Sequence, residues 1–267
     1  MKAALIHLPY LSAARFTGPD AGPFLHAQLS ADITALEVGA STFATYCSTA
    51  GKVLALLLIG RLDQEYVLIG SSELLAGVID RMKIFVLRAK VEIEPAPQTN
   101  VSAVLGPEAP APILSPGIDA LRYTWGPEDG PSSEDSDQWK HQELLHGVSW
   151  LDSETSEKFI PQMLGFEKIG AVSFSKGCYP GQEIVARTRY LGKVKRTPLI
   201  AVIKGKAGIE NGARVQINYE TEAIEGKVVD SAPAENQNTL LFIVTRTRVG
   251  EQPDSISFNN KKLLVIS

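Results

Sequence analysis

A chain of 267 residues that is 44% hydrophobic and 21% charged has enough apolar surface for a packed core, which excludes a disordered or fibrous chain. Its net charge of −4 excludes a broad basic face that grips a nucleic-acid backbone over many phosphates. Two distant cysteines, Cys47 and Cys178, exclude a secreted disulfide framework, and the longest apolar run, residues 53–59, falls far short of the roughly 20 residues that cross a bilayer.

Residues 1–15 carry no basic stretch followed by a long apolar core and a small-residue cleavage site, so the cytoplasm is the expected compartment. Residues 3–8 read as a strand. Phe24, Leu25, Leu29 and Ile33 recur at three-to-four spacing and predict a helix over 20–37, with Asp20 as N-cap and Gly39 as the stop. Residues 42–47, 53–60 and 66–69 read as three strands joined by tight turns. Ser72 then opens an amphipathic helix with Leu75, Val78, Ile79, Met82, Phe85 and Val86 on one face. Strand character returns at 91–93 and 101–105.

Pro107, Pro110, Pro112, Pro116, Pro127 and Pro131 forbid a long helix over 106–138, where an acidic run (Glu134, Asp135, Asp137) follows. One strand at 120–125 is expected there, the rest being exposed connection. Residues 139–146 read as a helix and 148–176 as loop. From Thr197 short strands at 199–203, 214–217, 223–229, 239–244 and 263–266, spaced by glycines, predict a small antiparallel barrel. The fold class is α+β, in an N-terminal α+β part (1–105), a second α+β part (106–196) and a C-terminal β-barrel (197–267).

The distinctive stretch is Lys176-Gly177-Cys178-Tyr179-Pro180-Gly181-Gln182-Glu183, running on to Arg187. Two glycines and a proline make a tight loop, and Gln182 to Arg187 are good helix formers, so Cys178 stands just before a helix N-terminus. The helix dipole, Lys176 and Arg187 there favour the thiolate, the nucleophilic and metal-ligating form of cysteine. The residues alone leave a reactive thiol and a buried, inert one equally open. Cys47 lies in an apolar strand and reads as core. The four histidines (His7, His26, His141, His146) make no metal motif, and neither His141 nor His146 is placed by sequence beside Cys178, so a cysteine–histidine hydrolase is not expected.

This string resembles the Lys-Gly-Cys-Tyr-x-Gly-Gln-Glu signature of the YgfZ family of folate-binding proteins, relatives of the glycine-cleavage T-protein. Phe159 to Leu164 and Val172-Ser173-Phe174 resemble the segment before the signature, and Gly192 to Arg196 its continuation. Thr17 to Ala21, Phe24-Leu25, Gln28 to Asp32, Gly51-Lys52 and residues 88–93 are also similar. Gly165 departs from the Asn frequent in the family, residues 105–139 are short for it, and Leu11 fills an aromatic position.

The resemblance implies a T-protein-like, three-part architecture around a central channel that holds tetrahydrofolate or a one-carbon derivative. It implies an accessory protein that supports maturation of iron–sulfur enzymes and thereby tRNA modification, with Cys178 as the reactive group. Expected partners are a reduced folate, polyglutamylated or not, and iron–sulfur enzymes or assembly proteins; no extended nucleic-acid contact and no membrane are expected. Trp139 is the expected stacking face for the folate, against a core role. Lys176, Tyr179, Gln182, Glu183, Arg187 and Lys52 are the other expected folate contacts. For Tyr179 packing beneath the cysteine competes, for Gln182 and Glu183 helix capping, and for Lys52 a solvated hairpin. The basic run Arg187, Arg189, Lys193, Lys195, Arg196, Lys204 and Lys206 is either a solvated face or a landing surface for anions such as a polyglutamyl tail. A one-carbon (aminomethyl) transferase and a folate-free interaction module stand as rival functions.

Overall fold

The computed structural model describes residues 4–95, 99–106, 112–127, 135–206, 208–246, 253–259 and 261–266. Its N-terminal strands are β1 (Ala4–His7), β2 (Leu11–Thr17), β3 (Ser41–Cys47), β4 (Val53–Arg61), β5 (Glu65–Ser71) and β6 (Glu92–Pro95), with helices α1 (Ala21–Gln28) and α2 (Leu75–Lys83) between them. Five of these strands make an antiparallel sheet in the order β3-β4-β5-β2-β6. Strand β4 is the continuous apolar run. Its residues are buried from both sides, with Leu54, Leu57 and Ile59 facing the helices and Val53, Leu56 and Leu58 facing the second layer.

A second antiparallel sheet, β1-β7-β9-β8, adds β7 (Thr99–Leu105), β8 (Ile113–Leu114) and β9 (Tyr123–Pro127). Helix α3 (Ser136–Leu145) follows, and a loop-rich stretch leads to α4 (Gln182–Tyr190). The C-terminal strands β10 (Arg196–Ile203), β11 (Arg214–Asn218), β12 (Ala223–Ala234), β13 (Asn238–Arg246), β14 (Ser255–Phe258) and β15 (Lys261–Ile266) close into a barrel, β10-β13-β12-β11-β14-β15. Closure leaves no free edge for another chain to pair with. The main core joins these parts: Phe43 of β3 packs edge-on to Trp150, and Phe159, Tyr123 and Trp139 together with Val229, Leu240 and Phe242 of the barrel belong to the same cluster. No helix among the described residues is long and apolar enough to cross a membrane.

Several expectations need correction. The helix read over 20–37 ends at Gln28, because Leu29 turns extended (φ −110°, ψ 155°) and bridges Tyr46 of β3. Leu29 and Ile33 are still buried, Leu29 from extended chain and Ile33 from a bend. Ser72 does not cap α2, which begins at Leu75; its hydroxyl donates instead to the Pro9 carbonyl at 3.1 Å. The same helix stops at Lys83, so Phe85 lies beyond it and is exposed. Residues 112–127 are more than connection: Leu114, Leu121 and Tyr123 are fully buried. Strands β2 and β14 were not expected. Pro107, Pro110, Pro131 and Glu134 lie outside the described residues.

Candidate functional site

The motif loop is seated by short polar stitches to the turn after α1. The Ser30 hydroxyl accepts from Thr45 N–H at 2.8 Å and donates to the Ala171 carbonyl at 2.6 Å. Ser173 N–H donates to the Ser30 carbonyl at 2.8 Å. Lys176 completes the seat. Its ammonium donates to the carbonyls of Leu29, at 2.6 Å, and His26, both at the C-terminal end of α1. A cation there satisfies carbonyls that the helix leaves unpaired and meets the negative end of its dipole. Burial lowers the Lys176 pKa to about 8, while Asp32 and Cys178 pull it up. The ammonium also stands 4.9 Å from the centre of the buried Tyr179 ring.

The second half of the loop rests on the β3–β4 hairpin, and two glycines set that distance. Gly181 has φ +80°, and a Cβ on it would lie 2.4 Å from the Ser48 carbonyl oxygen and 2.6 Å from Gly51 Cα. Gly51 has φ +69°, and its Cβ would lie 2.9 Å from Ile184 Cβ of α4. Only glycine on both sides permits this approach. Gln162, buried under α4, donates from Nε2 to the Val185 carbonyl at 2.7 Å and holds the helix from below.

Cys178 is exposed between these anchors, whereas Cys47 is buried. Burial pushes the Cys47 thiol up to about 11, with the Thr45 hydroxyl 3.3 Å away. Tyr179 packs inward; burial, then Cys47, raise its phenol pKa. Gln182 Nε2 donates to the Lys176 carbonyl at 3.4 Å, within the loop itself. Glu183 and Arg187 are exposed on the first and last turns of α4. Lys52, in the hairpin beside Gly51, donates to the Lys158 carbonyl at 3.3 Å. Trp139 is placed differently. Its ring is 3% exposed in the core and lies edge-on to Tyr123 at 5.8 Å, so the expected stacking face is not open in this structure.

Two clusters went unread in the sequence. At the motif, His26 Nδ1 lies 3.2 Å from Asp32 Oδ1 and 3.3 Å from the Thr34 hydroxyl. Its other nitrogen faces the loop: a Cβ built on Gly177 would lie 3.8 Å from Nε2. A sequence separation of 150 residues between His26 and Lys176 hides this pairing, and no local pattern announces it. His141 and His146 are engaged elsewhere, with the carbonyls of Pro233 (3.0 Å) and Gln142 (2.8 Å).

The second cluster surrounds Glu143, fully buried on α3. Its carboxylate accepts from Tyr10 and Tyr123 hydroxyls at 2.8 Å each and from the Trp150 indole N–H at 3.0 Å. Burial raises its pKa to about 7 against the pull of these donors. One turn before it, Lys140 reaches the buried Asp230 of β12 at 2.7 Å. The spacious open grooves lie apart from the motif residues: one of about 740 Å³ runs on the barrel along Arg214, Gln216, Ser257 and Lys262. Another, of about 580 Å³, lies between Gly18 and Tyr66.

No family model matches the chain. A protein named tRNA-modifying protein YgfZ from Colwellia psychrerythraea is 27% identical over 225 residues, 72% of this chain and 69% of that one. One of the same name from Photobacterium profundum is 24% identical over 304 residues, 96% of this chain and 89% of its own. A Haemophilus influenzae protein is 29% identical over 222 residues, 80% of this chain and 79% of that one. Among solved structures, the glycine cleavage system aminomethyltransferase T from Bartonella henselae superimposes with a TM-score of 0.69 at 14% identity, covering 99% of this chain and 84% of that one. In sequence this chain is a relative of the YgfZ proteins, and its fold is that of aminomethyltransferase T.

Proposed function

We propose that the chain is a cytoplasmic, tetrahydrofolate-binding accessory protein that supports iron–sulfur enzyme maturation and thereby tRNA modification, with Cys178 as its working group. The observation that carries the reading is the exposed Cys178 on a loop fixed at both ends, by Lys176 on α1 and by Gly181 on the β3–β4 hairpin. A mobile surface cysteine needs no such seat; a thiol that must meet a partner repeatedly in one orientation does. The name carried by the YgfZ relatives supports the tRNA connection, and the aminomethyltransferase fold supports a folate ligand.

The side chains fit a folate at the rim of the loop and not behind it. On α4, the helix that follows Cys178, Glu183 and Arg187 are exposed and Gln182 is half-buried, and they offer charge and hydrogen bonds to a polar ligand. Lys176 is bonded to two carbonyls, and Tyr179 and Trp139 are buried. What the chain itself supplies is a fixed thiol with a cation at its base.

Calorimetric titration of tetrahydrofolate and its methylene form into wild type and Cys178→Ala tests the reading. Both proteins are expected to bind. In cells lacking the endogenous copy, wild type is expected to restore the tRNA nucleosides made by iron–sulfur enzymes and the alanine variant is not. Absence of binding heat overturns the folate assignment and leaves an interaction module. Turnover of an aminomethyl donor with tetrahydrofolate makes the chain a transferase instead.

A further inference from the structure

We propose that His26, oriented by Asp32, is the proton acceptor for Cys178, so that the loop carries a cysteine–histidine–aspartate relay. The inference rests on Cys178 being the working group and adds the residue that activates it.

Asp32 accepts from the Thr34 hydroxyl at 2.8 Å and from Ala35 N–H at 3.1 Å. These bonds, the hydroxyl first, hold its carboxyl below the usual range, so it is ionised at neutral pH. The hydroxyl proton of Thr34 is then committed to Asp32, which leaves its oxygen as an acceptor toward His26. Both neighbours of Nδ1, Asp32 Oδ1 at 3.2 Å and Thr34 Oγ1 at 3.3 Å, therefore ask it to donate. That selects the Nδ1–H tautomer and leaves Nε2 with a bare lone pair. Nε2 is the nitrogen that faces Gly177, the residue immediately before Cys178. The same histidine's carbonyl accepts from Lys176, so the ring and the loop cannot drift apart.

Cys178 is exposed and immediately follows the glycine that Nε2 faces; in the relay the two groups meet through a turn of the Cys178 rotamer or one bridging water. The step is a proton transfer: the S–H bond breaks, the proton binds Nε2, and a thiolate–imidazolium pair remains. Asp32 stabilises the imidazolium and Lys176 the thiolate. The charged and titratable groups facing the pair are Asp32 and His26 after and on α1, and Lys176, Cys178 and Tyr179 on the loop; Cys47 lies behind Tyr179.

The test is alkylation of Cys178 by iodoacetamide, in which the S–C bond forms and iodide leaves, followed by peptide mass mapping. Rates are measured from about pH 5 to about pH 10 for wild type, His26→Gln and Asp32→Asn. Buried Cys47 is the slow internal reference. His26→Gln is expected to move the inflection to higher pH. At neutral pH its rate falls about threefold for each unit of that displacement, because the lost thiolate is partly offset by greater nucleophilicity. Asp32→Asn is expected to fall between the two. A second readout needs no substitution: the His26 ring, followed by NMR, titrates at lower pH once Cys178 is alkylated and the negative thiolate is gone. Superimposable alkylation profiles, or a His26 titration indifferent to alkylation, overturn the relay. Neither measurement involves folate, so these outcomes are separate from the calorimetric test of ligand binding.

Discussion

Lys176 and Gly181 show how single residues hold the motif loop. The Lys176 ammonium is a tether, since both its acceptors are backbone carbonyls at the end of α1. Lys176→Met keeps the stem and removes the tether, leaving two carbonyls unpaired beneath Tyr179. The expected loss is about 2–3 kcal/mol, read by urea denaturation. Gly181→Ala acts from the other end. It forces a left-handed φ on a residue with a Cβ and drives that atom into the Ser48 carbonyl at 2.4 Å. A loss of about 1–3 kcal/mol is expected, with faster proteolytic nicking near Cys178 as the loop lifts. Wild-type stability and nicking rate in this variant would mean that the motif loop and the β3–β4 hairpin are not in contact. The tight loop was legible in the sequence, because two glycines and a proline at fixed offsets favour one, and the signature was legible by its resemblance. Its seat was not: Ser30, His26 and Asp32 are ordinary polar residues whose role appears only when 150 residues of chain fold back on them.

At the scale of elements, α3 is pinned by charge as much as by its apolar side. Glu143 ties it to Tyr10, Tyr123 and Trp150, and Lys140 ties it to Asp230 of the barrel. The pH dependence follows from the sign of the shift. A carboxyl raised from 4.5 to about 7 binds its proton more tightly folded than unfolded. Its contribution to stability is therefore present below about 4.5 and is lost as pH climbs toward about 7. Asp230, raised by burial against the pull of Lys140, adds in the same direction. Glu143→Gln keeps the acceptor oxygen and abolishes the titration. Denaturation at pH 5 and pH 8 is expected to show a drop of up to about 3 kcal/mol in wild type and a smaller one in the variant. Equal drops would place the titrating group elsewhere. The sequence placed α3 but began it three residues late, at Trp139 instead of Ser136, and gave α1 nine residues too many. Leu29 and Ile33 keep helical spacing while buried from non-helical chain, and periodicity alone cannot separate the two.

For the whole molecule, the question is what a chain of net charge −4 does with a local excess of cations. Lys193, Lys195 and Arg196 join α4 to the barrel, and Lys195 and Arg196 border an open groove of about 380 Å³ with Arg246. Arg246 is paired with Glu222 and Arg189 with Glu167, so part of the cationic excess is spent internally. What remains leads away from the end of α4, the helix that Cys178 precedes. If folate binds beside Cys178, a polyglutamyl tail has this surface along which to lie, and the attraction is long-range and screened over about 10 Å at 0.1 M salt. Replacing Lys193, Lys195 and Arg196 together by Gln is expected to weaken tetrahydrofolate pentaglutamate several-fold at low salt and to leave the monoglutamate unchanged. The difference between wild type and variant should close as salt rises toward about 1 M, where screening extends only about 3 Å. Equal weakening of both ligands would instead mean that the barrel had shifted against α4. Unchanged affinity for both would leave the basic stretch as a solvated face, the reading that its exposure alone supports.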